Sequence, residues 1–147
     1  IEGTTDFIFG PSTALFENCE IRSKTNSYVT AASTPEDIAV GYVFKNCKLT
    51  ANPGVDKVYL GRPWRPYAAT VFINCEMGKH IRPEGWHNWG KEENEKTARY
   101  AEYNSTGEGA AAAGRVKWAK QLTKKEAAQY DDLNYIYRMC SDWKPEN

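Results

Sequence analysis

One aspartate near the start of the chain stands where an ionised side chain is costly. Asp6 follows a Gly-Thr-Thr stretch and is followed at once by the apolar run Phe7-Ile8-Phe9. Burying a carboxylate beside such a run costs free energy unless the group is paired with a cation or takes part in a reaction. Asp6 is therefore the first candidate for a chemical role.

A second group of candidates lies in the segment YLGRPWRPY, residues 59–67. Arg62 offers a planar fork of donors that suits a carboxylate, and Trp64 offers a flat ring. Pro63 and Pro66 stiffen the loop and so lower the entropy cost of presenting these side chains. The plainer interpretation, in which Arg62 is a surface charge and Trp64 anchors a loop, stays open at this point.

A third segment, RPEGWHNW, adds the rings of Trp86 and Trp89. The chain is rich in aromatic residues, with five Trp, nine Tyr and five Phe. Flat rings suit the faces of sugars, but they also fill cores and interfaces, so the composition alone does not decide between these uses.

Several classes of chemistry have no support in the sequence. A G-x-S-x-G elbow and a Gly-rich phosphate loop are missing, and neither His80 nor His87 stands at a metal-ligand spacing. We therefore expect no metal and no cofactor. Lys and Arg (19) balance Asp and Glu (19), and no apolar run reaches membrane-spanning length, so we expect neither nucleic acid nor a membrane as partner.

A repeat positions these candidates. The pattern Phe-x-Asn-Cys occurs three times at intervals of 28 residues, ending at Cys19, Cys47 and Cys75. A fixed period of this size, in segments rich in β-forming residues and without an apolar helical period, predicts a parallel β-helix with one coil per repeat. Stacked coils would place the three cysteines in one ladder, as packing residues. The preceding asparagines, Asn18, Asn46 and Asn74, would form a second ladder.

The C-terminal part has a different sequence pattern. After one or two last strands and a loop, LTKKEAAQY predicts a short helix, in which Thr123 and Glu126 form a capping box. A tail would then lie along the outside, anchored by Tyr135, Tyr137 and Trp143. We expect one domain over residues 1–147, with coils over about 1–111 and the loop, helix and tail over about 112–147.

Four motifs in order, GTTDFIFG, YLGRPW, HIRPEGWHNW and YAEYNSTGEGA, resemble the C-terminal half of the pectin methylesterases, or pectinesterases. The resemblance implies an all-β fold, a right-handed parallel β-helix with a short C-terminal helix and tail. Thr5 stands where the family more often has an aliphatic residue, and Pro11-Ser12 replaces a more common turn. Neither difference removes a reactive group.

The resemblance also implies roles for particular residues. Asp6 matches the nucleophilic aspartate of the family, and Arg62 matches the arginine that pairs with it and contacts substrate. The remaining matches are to substrate-contacting aromatic residues: Phe9, Trp64, Trp86 and Trp89. The implied reaction is attack of Asp6 on the methyl ester of a galacturonate in pectin, with release of methanol and hydrolysis of the acyl-enzyme by water.

This reaction also needs a neutral carboxylic acid and preorganised oxyanion donors. The family supplies them from a Gln-Asp-Thr motif about one coil before the nucleophile and from a further glutamine, and the sequence contains no such motif. We therefore expect the chain alone to be inactive. Its partners would be pectin (methylated homogalacturonan) and the missing N-terminal half, or a second copy bound through the open end of the β-helix. The resemblance implies a secreted, periplasmic or extracellular location, although the first residues show no leader pattern.

Two alternatives stay open. A pectate-lyase-like enzyme needs a calcium-binding carboxylate cluster, and the nearest acidic pair, Asp131-Asp132, falls in the helical tail. A non-enzymatic glycan-binding module would use the aromatic rings and would leave Asp6 as a turn residue.

Overall fold

The computed structural model describes residues 1–140, and its twelve strands, numbered in chain order, wind through three parallel sheets. The first sheet contains β1 (Glu2–Gly3), β4 (Glu20–Ser23), β7 (Lys48–Ala51) and β10 (Glu76–Met77). The second contains β2 (Ile8–Gly10), β5 (Tyr28–Ala32) and β8 (Tyr59–Gly61). The third contains β3 (Ala14–Glu17), β6 (Tyr42–Lys45), β9 (Ala69–Ile73), β11 (Arg99–Tyr103) and β12 (Lys120–Gln121). The predicted parallel β-helix is confirmed.

The repeat works because equivalent residues stack from coil to coil. Phe16, Phe44 and Phe72 lie in register on β3, β6 and β9, and their rings stack with centroids 4.6 Å and 4.5 Å apart. Parallel in-register strands bring like side chains together, and stacked apolar rings fill the core. On the next strand, β11, the position in register with Phe72 is taken by Glu102.

The asparagine positions form the corners of the coils. Asn18, Asn46 and Asn74 have φ of 55°, 54° and 52°, in the left-handed region that asparagine tolerates better than most residues. Asn104 continues the series with φ of 51°, and its side-chain amide donates to Oδ1 of Asn74 at 2.9 Å. This fourth corner was not predicted, because its Phe and Cys neighbours are replaced.

The cysteines occupy equivalent positions after these corners. Cys47 and Cys75 are buried, and Cys19 is partly buried against the same core cluster. The thiols of Cys47 and Cys75 donate to the carbonyls of Phe16 and Phe44 on the coil before, at 3.3 Å and 3.6 Å. All four cysteines, including Cys140, are free thiols, and the predicted ladder of packing residues agrees with this arrangement.

Two short helices follow the last strand and cover the outer face of the third sheet. They are α1 (Lys124–Ala128) and α2 (Leu133–Ile136). The predicted capping box is confirmed, since Thr123 Oγ1 accepts from the Glu126 N–H and the Glu126 side chain accepts from the Thr123 N–H.

The tail is fixed by a second, smaller core. Ile136 is buried there with Val43, Val71 and Ile73 of the sheet, and Tyr135 and Tyr137 pack against the same cluster. The predicted anchors Tyr135 and Tyr137 therefore lie as expected, while Trp143 lies outside the described residues. None of the helices within residues 1–140 is long and apolar enough to span a bilayer.

Candidate active site

The structure brings Asp6 and Arg62 together across 56 positions of sequence, as predicted. Arg62 Nε donates to Asp6 Oδ1 at 3.1 Å, and Nη2 donates to Oδ2 at 2.7 Å. Two parallel charge-assisted bonds of this kind fix the plane of the carboxylate as well as its charge. About a fifth of each side chain stays exposed, so the pair lies at the surface of the coil rather than in its core.

The second sheet sets the positions of both residues. Asp6 lies just before β2 with φ of 49°, and its N–H donates to the Tyr28 carbonyl at 2.9 Å. Arg62 lies just after β8, and its N–H donates to the Thr30 carbonyl at 3.1 Å. A Cβ on Gly61 would lie 2.1 Å from Thr30 Oγ1, so glycine is required for the coils to approach this closely.

Arg62 reaches Asp6 from two coils away by crossing the coil between them. Its guanidinium carbon lies over the ring of Tyr28 at 3.9 Å from the ring centroid and over the ring of Trp89 at 3.8 Å. Both contacts are cation–π interactions that also exclude water. Partial burial lowers the pKa of Arg62, but the hydrogen bond and Coulombic attraction to Asp6 together outweigh burial, so the pKa is raised above its ordinary value.

Trp89 is held in place by a backbone turn. It has φ of 63°, and its N–H donates to Nδ1 of His87 at 3.0 Å. The His87 ring makes edge contacts with the rings of Tyr28 and Tyr59, at centroid distances of 5.5 Å and 5.1 Å. Burial, and then the positive charges of Arg62 and Arg82, lower the pKa of His87 below its ordinary value.

An aromatic surface lies beside the ion pair. Phe9 on β2 is 64% exposed, Trp64 is 41% exposed, and their rings meet edge to face with centroids 6.0 Å apart. Exposed neighbouring rings of this size are suited to stacking against a sugar. A groove of about 440 Å³ runs next to Trp64 and Trp89, bounded also by Arg65 and Lys91.

Trp86 does not belong to this surface, which corrects the prediction that it lines the cleft. Only 1% of Trp86 is exposed, and its ring stacks on Tyr100 in the core at 4.2 Å. Trp86 forms a β-bridge with Gly61 beside the second sheet, and its ring belongs to the main core, where it also contacts the ring of Phe72. Trp89, three residues later, turns outward.

The sequence analysis missed two members of the site, Tyr28 and His87. Tyr28 and Tyr59 lie in register on β5 and β8 and their rings stack at 5.3 Å, but their spacing differs from the 28-residue period, so the repeat did not pair them. His87 carried no sequence signal either, because its role depends on the turn that follows it.

The arrangement provides an anionic oxygen nucleophile of fixed orientation beside an aromatic surface. Within residues 1–140, Asp6 is the only carboxylate that forms an ion pair with Arg62. In the same part of the chain, His, Cys, Asp and Glu form no group that could hold a metal ion. A carboxylate held in this way has the orientation that an oxygen nucleophile needs.

Comparison with known proteins agrees with this geometry. The family model described as Pectinesterase matches residues 1–139. The chain belongs to the pectinesterase family. Pectinesterase 31 of Arabidopsis thaliana is 44% identical over 137 residues, which cover 92% of this chain and 43% of that protein. The chain thus spans less than half the length of this relative.

Solved structures of pectin methylesterases share the fold of this pectinesterase chain. The enzyme from carrot superposes with a TM-score of 0.85 at 30% identity, covering 99% of this chain and 51% of that one. A pectin methylesterase in complex with a hexasaccharide gives a TM-score of 0.77 at 31% identity, covering 99% of this chain and 50% of the other. The match extends over all the coils described above.

Proposed function

We propose that this chain provides the nucleophile side of a pectinesterase active site, which removes methyl esters from galacturonate in pectin. The observation that carries the proposal is the bidentate Asp6–Arg62 pair, which is oriented on both oxygens and lies beside exposed aromatic rings. An ion pair that only stabilises the fold does not require an exposed aromatic surface beside it. Family membership and the oligosaccharide complex of a relative support the same substrate class.

In the proposed reaction an Asp6 oxygen attacks the C6 carbonyl carbon of a methyl galacturonate. The carbonyl π electrons move to oxygen, and the tetrahedral oxyanion then expels methoxide, which takes a proton from a general acid and leaves as methanol. Water then attacks the acyl-enzyme and gives a proton to the conjugate base of the general acid, which restores the acid, the Asp6 carboxylate and a free galacturonic acid carboxyl. Arg62 keeps the carboxylate plane aligned, and Phe9, Trp64 and Trp89 contact the sugar chain.

The general acid and the oxyanion donors are proposed to come from a polypeptide segment outside this chain. Two observations support this part of the proposal. The sequence contains no Gln-Asp-Thr motif, and the chain corresponds to 43% of the length of a relative with 44% identity. The chain alone is then inactive. Since the proposed substrate is a cell-wall polymer, the proposed place of action is outside the cytoplasm.

The test is reconstitution with the complementary half of a relative. The chain, the N-terminal part of a pectinesterase relative, and a mixture of the two are each incubated with methyl-esterified polygalacturonate. Methanol and the ultraviolet absorbance of unsaturated uronates are both recorded. The proposal predicts methanol from the mixture, negligible methanol from either half, and no new absorbance.

Other results would contradict the proposal in distinguishable ways. Unsaturated product without methanol would assign a lyase. Retention of the chain on immobilised polygalacturonate, with no methanol from a mixture whose halves bind one another, would assign a glycan-binding module. Full turnover by the chain alone would show that the acid and the oxyanion donors lie within it.

A further inference from the structure

The family resemblance assigns no role to His87, yet this residue contacts both of the aromatic residues that pack on the Arg62 guanidinium. Its ring makes an edge contact with Tyr28, and its Nδ1 accepts a hydrogen bond from the N–H of Trp89. Tyr28 and Trp89 are also the residues whose rings pack on the Arg62 guanidinium, at 3.9 Å and 3.8 Å. One imidazole therefore contacts both Tyr28 and Trp89, and the site that these two residues form around the Arg62 guanidinium is called the slot below.

The turn that presents Trp89 depends on this hydrogen bond. The bond joins residue i to the N–H of residue i+2, which is the geometry of an Asx turn with a ring nitrogen in place of the amide oxygen. Asn88 makes the corresponding bond to the N–H of Gly90 at 2.8 Å. Trp89 has φ of 63°, an unfavourable conformation for a bulky residue, so its neighbours have to hold it there.

The acceptor role also fixes the protonation state of the ring. Nδ1 can accept only when it is unprotonated, so the ring that makes this bond is neutral and carries its proton on Nε2. The groups that face His87 are the guanidinium groups of Arg62 and Arg82 and the phenols of Tyr28 and Tyr59. The charged members of this set are both cations, and Arg82 itself lies over the Tyr59 ring at 4.8 Å. A protonated His87 would meet like charge and would lose its bond to Trp89.

We propose that His87 is a positioning residue whose neutral ring holds Tyr28 and Trp89 against Arg62, and that protonation of His87 opens this slot. The consequence for chemistry rests on the proposed function: a released guanidinium no longer orients Asp6, so methanol release would fall on acidification. The consequence for structure does not rest on it and is measurable in the chain itself.

The first experiment follows the Arg62 Nε–H proton and the His87 ring by NMR as the pH is lowered. Two aromatic rings packed this closely on the guanidinium shift this proton upfield. We expect the shift to disappear together with the titration of His87. In His87→Leu, which cannot accept a bond, the upfield shift should be absent at every pH.

The matched control is His87→Asn, whose side-chain oxygen can replace Nδ1 in the same i to i+2 turn but does not titrate. It should keep the upfield shift and lose the transition that His87 causes. Any release of Arg62 by protonation of Asp6 appears in both proteins and is thereby subtracted. An Arg62 signal that is unchanged while His87 titrates, or that is retained in His87→Leu, would overturn the proposal.

Activity in the reconstituted protein gives the second measurement. Loss of one positioning hydrogen bond predicts a fall in kcat of roughly three- to tenfold for His87→Leu, with KM nearly unchanged and with recovery in His87→Asn. An equal loss in both variants would contradict a positioning role for the acceptor. If no mixture releases methanol, the proposed function fails, while the NMR result still decides the role of His87.

Discussion

Two of the arginine–carboxylate pairs within residues 1–140 share a geometry in which both carboxylate oxygens are bound, and they have opposite surroundings. Asp6 and Arg62 lie at the rim of the coil, each about a fifth exposed, with two aromatic rings packed on the guanidinium. Glu102 and Arg115 lie in the core, each 2% exposed, with Arg115 Nε donating to Glu102 Oε2 at 2.8 Å.

The difference lies in what else the two guanidinium groups contact. Arg115 also donates to the carbonyls of Arg82, Pro83 and Gly109, so its donors are directed at fixed groups of the protein. The described contacts of Arg62 are the Asp6 carboxylate, the phenol of Tyr28 and the ring of Trp89. The buried pair therefore holds the last coils together, whereas the rim pair keeps a carboxylate oriented and within reach of solvent. Location and partners distinguish these two pairs, and pair geometry alone does not.

Breaking the buried pair should have the largest effect on stability. Glu102→Gln removes the negative charge and leaves the Arg115 guanidinium buried without a counter-ion, which should lower the free energy of unfolding by about 3–5 kcal/mol. Urea denaturation followed by circular dichroism measures the change. The matched control, Glu102→Gln combined with Arg115→Met, should recover part of the loss because no unpaired charge is left. A loss below about 1 kcal/mol in the single variant would contradict the structural role.

Changing the rim pair should affect stability less. Arg62→Lys keeps the charge but loses the bidentate fork and most of the ring stacking, so we expect a loss of about 1–2 kcal/mol in the free energy of unfolding. In the reconstituted protein, methanol release should fall roughly 10²-fold, because Asp6 is no longer held in one orientation. Full activity in Arg62→Lys would show that a point charge is sufficient.

The tail offers a smaller test of local structure. Thr123→Ala removes one half of the capping box at α1, and the loss of such a cap typically costs about 1 kcal/mol. Hydrogen exchange in residues 124–128 should accelerate, while exchange in β6 and β9 stays as in the unmodified chain. Equal acceleration in the sheet would mean that the tail and the coils unfold as one unit.

The smallest expected effect is that of pH on the free energy of unfolding. Burial lowers the pKa of His80, and burial together with Arg62 and Arg82 lowers the pKa of His87. The unfolded chain then binds protons at a higher pH than the folded chain does. The stabilisation that comes from these lowered pKa values should be complete above the ordinary histidine pKa of about 6.5. It should be lost as the pH drops through the pKa values of the folded state. His80→Gln combined with His87→Asn should flatten the curve in this window. An unchanged slope in that double variant would assign the dependence to other groups.

The sequence carried most of the information about the coils, because a 28-residue period of Phe, Asn and Cys leaves few other folds. The resemblance to the pectinesterases implied the Asp6–Arg62 contact, and the β-helix allows it because it stacks positions that are far apart in sequence. Trp86 was placed incorrectly because GWHNW contains two tryptophans three residues apart, and the sequence pattern does not show which of them packs in the core. The pair of Glu102 and Arg115 has no periodic pattern, and Glu102 interrupts the phenylalanine ladder that would have been extrapolated.

The most direct test of the central claim is the variant Asp6→Asn, which keeps the size of the side chain and removes the nucleophilic charge. Unfolding by urea and methanol release in the reconstituted protein are measured on the same preparation. We expect the free energy of unfolding to change by about 1 kcal/mol or less, and methanol release to fall roughly 10⁴-fold or more. Methanol release within tenfold of the unmodified protein would show that Asp6 is not the nucleophile, and that the rim pair, like the buried one, is structural.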